Sequence, residues 1–100
     1  MMDRNLISMK DSQKFTPNPD FTIENFDNEV LLYSIPDSTG IYLNETACVV
    51  WELCRKSQSV GEIITLLETT YPAQRAAVRK DVVRAITSLV EKGVLMAANG

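Results

Sequence analysis

The residues able to do chemistry are few, and their spacing does not suit catalysis. The 100-residue sequence contains no histidine, which removes the commonest general base and metal ligand. Cys48 and Cys54 are its only cysteines. Six residues apart on a helix they point about 240° apart around the axis, so they cannot bridge each other. Cys54 shares an apolar stripe with Trp51 and reads as a core thiol. Glu45, Glu52, Glu62 and Glu68 are scattered and read as solvated faces rather than as a paired-carboxylate site. No Gly-x-Ser-x-Gly turn and no Gly-x-x-x-x-Gly-Lys loop occurs, so neither a nucleophile elbow nor a phosphate cradle is present. The expectation is a protein that is not an enzyme and holds no cofactor and no metal.

What remains is recognition, and the stretch Gly40 to Leu53, GIYLNETACVVWEL, is the place to look. Ile41, Tyr42 and Leu43 form a short β-prone run that meets Asn44, a strong helix N-cap type, with no loop between. Beyond the cap, Ala47, Val50, Trp51 and Cys54 fall at i, i+3, i+4 and i+7, one face of a helix. A strand edge and helix surfaces must therefore lie close together. Asn44 and Trp51 are expected to hold this junction.

The elements that position it read off in order. Residues 1–18 show no sustained period and end near Pro17-Asn18-Pro19, so a mobile N-terminal tail is expected. Residues 19–96 form the domain and 97–100 a C-terminal tail. Phe21 and Ile23 alternate with Thr22 and Glu24, the period of a half-buried strand. Asp27-Asn28 is a turn signal. Val30 to Ile35 is a second strand, apolar on both faces. After the turn Pro36 to Gly40, Ile41 to Leu43 is a third. Short connections predict an antiparallel meander in order 1-2-3 with the third strand at an edge. Three helices follow: about Glu45 to Lys56; a second opened by the capping box Ser59-Val60-Gly61-Glu62 and closed by Pro72; and a third from about Arg75 to Lys92. Gly93 then stands at the position that favours left-handed backbone. Val94-Leu95 is expected to add a little strand or to pack on the helix end. The predicted fold class is α+β, a three-stranded antiparallel sheet followed by three helices, on a winged-helix-like plan.

The third helix carries more apolar surface than a core stripe needs. Val78, Val82, Ala85, Ile86 and Leu89 cover about 100° of its circumference, and Val83 and Val90 widen the arc on one side to about 160°. Arg79 lies on that same shoulder. Two readings stay open: a broad core contact, or a groove with an apolar floor and an arginine at its rim. A strand edge beside such a groove suits an extended peptide.

Charge and hydropathy narrow the partners. The net charge is −3, against the basic balance of a general nucleic-acid binder. Arg75, Arg79, Lys80 and Arg84 nonetheless cluster on the third helix, which keeps a DNA-binding winged-helix regulator as the alternative function and makes nucleic acid an unfavoured partner. No run of about 18 apolar residues exists, so no membrane span is expected. No signal-peptide core is seen, so a cytoplasmic location is expected. An exposed third-strand edge also allows a homodimer.

The run TGIYLNETACVVWEL, the segment SVGEIITLLETTY, Asp81-Val82 and the closing EKGVL together resemble the PqqD-like family, named for the pyrroloquinoline quinone biosynthesis protein D. The resemblance covers about Asp20 to Leu95, and Leu43-Asn44 with a following alanine and Trp51 is its most specific part. It implies a peptide chaperone that binds the leader of a ribosomally made precursor and presents it to a modifying enzyme, often of the radical S-adenosylmethionine type. It also implies that the leader adds a strand at Gly40, Ile41, Tyr42 and Leu43. Projected onto the third helix, the other contacts are Val83, Ile86 and Val90, with Arg75, Arg79 and Lys80 attracting acidic leader residues. On this projection Val83→Glu is expected to abolish leader binding. The turn Pro36 to Gly40 differs from the Pro-Glu-Arg-like turn of quinone-cluster members and sits closer to the broader PqqD-like set.

Overall fold

Alternating strand residues, an asparagine cap and a capping box give the chain its order of elements. The computed structural model describes residues 9–26, 29–36 and 38–98. The strands are β1 (Phe15–Pro17), β2 (Phe21–Phe26), β3 (Glu29–Ser34), β4 (Thr39–Leu43) and β5 (Leu95–Ala97). The helices are α1 (Glu45–Arg55), α2 (Val60–Thr70) and α3 (Arg75–Glu91), with one short 3-10 turn at Pro72–Gln74. β2, β3 and β4 form the antiparallel meander read from the sequence, in that order. Leu32 pairs with Ile23 on one side and Ile41 on the other, so β3 is central. Leu32 is fully buried, Ile41 and Leu43 are buried beside it, and Ile35 projects into solvent. The turn expected at Asp27-Asn28 lies outside the described residues.

α3 packs on both α1 and α2 and is the spine of the helical layer. Its buried residues Val78, Val82, Ile86 and Leu89 meet Val50, Trp51 and Cys54 of α1 and Val60, Ile63, Ile64 and Leu67 of α2 in one core. Gly93 follows α3 with φ +78, a left-handed conformation that glycine adopts without a Cβ penalty. Its N–H donates to the Val90 carbonyl, and the Val94 N–H donates to Leu89.

The N-terminal segment departs from expectation. Residues 1–8 of the expected tail lie outside the described residues, but Phe15–Pro17 is a strand, paired with β5 in the register Phe15↔Ala97, Thr16↔Met96, Pro17↔Leu95. Phe15 is only 3% exposed. The Asn18 side chain donates to the Gly93 carbonyl at 2.8 Å, and its backbone N–H to Val94. Residues just upstream do the work of a helix cap. The carbonyls of Gln13 and Asp11 accept from Val60 and Gly61 in the first turn of α2, amides that have no intrahelical partner. A Cβ on Gly61 would lie 3.0 Å from the Asp11 Cβ and 3.2 Å from its carbonyl oxygen. Glycine is what lets the strap approach.

The capping box is complete. Ser59 Oγ accepts from Glu62 N–H at 3.2 Å, and the Ser59 N–H donates to Glu62 Oε1 at 2.8 Å. That backbone donor holds the Glu62 carboxyl below its ordinary range. Ser59→Ala is expected to cost about 0.5–2 kcal/mol, read as a lower midpoint in urea with an unchanged slope.

Candidate functional site

β4 is hydrogen-bonded to β3 alone, so among the described residues its other edge carries no partner strand. Alternation along it is clean: Ile41 and Leu43 point into the core, whereas Gly40 and Tyr42 face out, Tyr42 being 64% exposed. The strand enters α1 through a single residue. Asn44 is extended, at φ −73 and ψ 175, and its Oδ1 accepts from Ala47 N–H at 2.8 Å. Trp51 is buried one turn further on, with the Arg55 guanidinium 5.4 Å from its ring centre. The cap and the buried indole fix how β4 approaches the helical layer.

A cavity of about 390 Å³ lies between β4 and α3. Ile41, Tyr42, Leu43 and Asn44 form one wall, with Thr46 and Ala47 at the end. The facing wall is a strip of α3: Asp81, Arg84, Ala85, Ser88, Leu89 and Lys92. The space exists because Ala85 and Ser88 are small. Arg84 and Lys92 are exposed beside it, which gives this part of the groove a positive rim.

The helix residues projected from the sequence are elsewhere. α3 has two shoulders beside its core stripe, and β4 lies along the opposite one from Val83 and Val90. Ile86 is fully buried and belongs to the core. Val90 packs against that core, and Val83 is half-buried away from the cavity. Thr87, also buried, shows that this flank of α3 is covered. Arg79 is held there by the strap: its Nη1 and Nη2 donate to the two Asp11 carboxylate oxygens at 2.9 and 3.1 Å. Arg75 and Lys80 are exposed but do not line the cavity. Ile86 and Val90 are thus core contact, Val83 is half-buried outside that core, and the cavity runs along the polar shoulder. The signal available in the sequence was the pair of small residues, Ala85 and Ser88, flanked by Arg84 and Lys92.

The Asp11–Arg79 pair has a pH signature. Its hydrogen bonds with Arg79 hold the Asp11 carboxyl below the ordinary value of 3.8. The folded state therefore binds its proton less readily than the unfolded chain, so the pair's contribution is complete above that value and lost as pH falls through the lowered one. The difference in Tm between wild type and Asp11→Asn is expected to be constant from pH 7 to 5 and to shrink towards zero as pH falls below about 3.8. Circular dichroism melts follow it.

No group here is poised for covalent chemistry. Burial pushes the Cys54 thiol up to about 12, and burial together with the Glu52 charge raises Cys48. Neither is a thiolate near neutral pH. Among the described residues no group of three or more histidine, cysteine, aspartate or glutamate residues could hold a metal ion, and no helix is long and apolar enough to cross a membrane.

The sequence model of Coenzyme PQQ synthesis protein D (PqqD) matches residues 29–95, from the start of β3 to the first residue of β5. The chain belongs to the PqqD family. Two solved structures share the fold of this PqqD-family chain. One is described as "Lasso peptide synthetase B1 complexed with the leader peptide", with a TM-score of 0.74 and 22% identity over 83% of this chain and 98% of that one. The other is "TbiB1 in Complex with the TbiA(beta) Leader Peptide", with a TM-score of 0.72 and 20% identity over 85% and 99%. No curated protein matches the chain.

Proposed function

We propose that this PqqD-family domain is a non-catalytic recognition module for the leader of a ribosomally made precursor peptide, which it presents to a modifying enzyme. The observation that carries the reading is the open edge of β4 facing a cavity on α3. Family membership supports it, as do two structural neighbours described in complex with leader peptides. The leader extends the sheet along Gly40, Ile41, Tyr42 and Leu43, and its inward side chains enter the cavity over Ala85 and Ser88. Arg84 and Lys92 draw acidic leader residues and set their register. The enzyme served is one that acts on such precursors, and a radical S-adenosylmethionine enzyme is the first to test.

Magnitudes show why the groove is needed as well as the edge. About four main-chain hydrogen bonds at roughly 1 kcal/mol each supply about 4 kcal/mol. Micromolar affinity takes about 8 kcal/mol, and association has its own entropic cost. Side chains seated in the cavity must supply the difference. The DNA-binding alternative is weakened at the same place, because Arg79 is occupied by Asp11.

The test is titration of the isotope-labelled domain with the synthetic leader of the small precursor encoded nearest its gene, followed by amide chemical shifts. The reading expects saturable shifts at residues 40–43 and 81–92. Shifts confined to the Val83 and Val90 shoulder, or saturation only with duplex DNA, would overturn it.

A further inference from the structure

A second cavity, also about 390 Å³, opens where the start of α1, the end of α2 and the start of α3 converge. It adjoins the cavity beside β4, and Thr46 and Asp81 line both. The two form one groove that passes the Leu43 end of β4. The floor of the second cavity is apolar, built from Val49, Leu67, Val78 and Val82. Its rim carries the carboxylates of Glu45 and Asp81 and the ring of Tyr71, which is 43% exposed. Among the described residues no basic side chain lines it. Along its length the groove therefore changes sign, from Arg84 and Lys92 at one end, through Asp81 where the two cavities meet, to Glu45 at the other.

Resting on the peptide-binding reading above, we propose that this cavity is an anchor subsite for one lysine or arginine side chain of the bound peptide. The match is chemical. A long side chain lays its methylenes on the apolar floor while its charged head stays at the wet rim. There it meets two carboxylates and the face of a tyrosine. A strand that continues the antiparallel alternation of β2, β3 and β4 runs from Leu43 towards Thr39. The anchoring residue consequently lies on the N-terminal side of the segment paired with β4, and acidic residues lie on its C-terminal side. Reversed peptides place like charges together at both ends, so the sign change also fixes direction.

The test uses the full chain, immobilised, and a phage-displayed library of random peptides about 16 residues long. The enriched sequences are expected to share an alternating apolar segment with lysine or arginine a few residues before it. A synthetic peptide from that pool is expected to lose about tenfold in affinity when its cation is replaced by alanine. On the double variant Glu45→Gln, Asp81→Asn, the same replacement is expected to cost less than twofold. Both side chains are exposed, and circular dichroism verifies that the variant is folded. Enriched peptides without the cation, or an equal loss on wild type and variant, overturn the anchor while leaving the groove in place. Peptides that bind an Ala85→Glu domain as tightly as wild type do not lie along β4, and that outcome overturns both readings together.

Discussion

Ala85→Glu is expected to weaken peptide binding about a hundredfold, whereas Val83→Glu leaves it within twofold of wild type. A hundredfold is about 2.7 kcal/mol. That is the scale of a charged side chain forced against the apolar residues of a bound peptide. Ala85 lies on the wall of the cavity facing β4, and its small side chain is one reason the cavity is open. Val83 lies on the other shoulder of α3, beside the flank where Arg79 meets Asp11. The pair of variants thus separates the two faces of one helix. Titration calorimetry with the leader peptide measures the difference. Because Ala85 also packs against the core, Arg84→Glu serves as an exposed companion in the same groove. It is expected to weaken an acidic leader about tenfold, chiefly at low ionic strength. Equal losses at Ala85 and Val83 would sink the placement.

Phe15→Ala is expected to destabilise the fold by about 3–5 kcal/mol, the usual cost of truncating a buried aromatic residue. The whole stability of a domain this size is about 5–15 kcal/mol. Tm should fall by at least about 12 °C, and deletion of residues 1–18 should cost more. Phe15 fills the core next to β5, and the residues just before it cap α2 with their carbonyls. A variant that melts within a few degrees of wild type would show that the segment is dispensable.

These two sites mark where the sequence was legible and where it was not. The meander, the Asn44 cap, the Ser59–Glu62 capping box and the turn at Gly93 were readable because each is a local device with its own residue types. The strap was not. Asp11 and Gln13 act through main-chain carbonyls, which leave no mark on side-chain periodicity, and β1 is three residues long. The tertiary partner of Gly61 is fifty residues upstream, so its need for a missing Cβ could not be read locally. The difference at α3 between the projected residues and those that line the cavity has a related cause. Periodicity finds the apolar arc of a helix, but not which shoulder faces a neighbour, and a groove is made by residues too small or too polar to contribute to that arc.

The pairing of β1 with β5 couples two segments far apart in sequence. Phe15 and Ala97 stand opposite one another across an antiparallel ladder, where partnered Cα atoms are about 5 Å apart. The segment that leads into the sheet and the segment that leaves α3 therefore hold each other in place. Removal of β5 would also untie β1 and, with it, the Asp11 and Gln13 carbonyls that cap the first turn of α2.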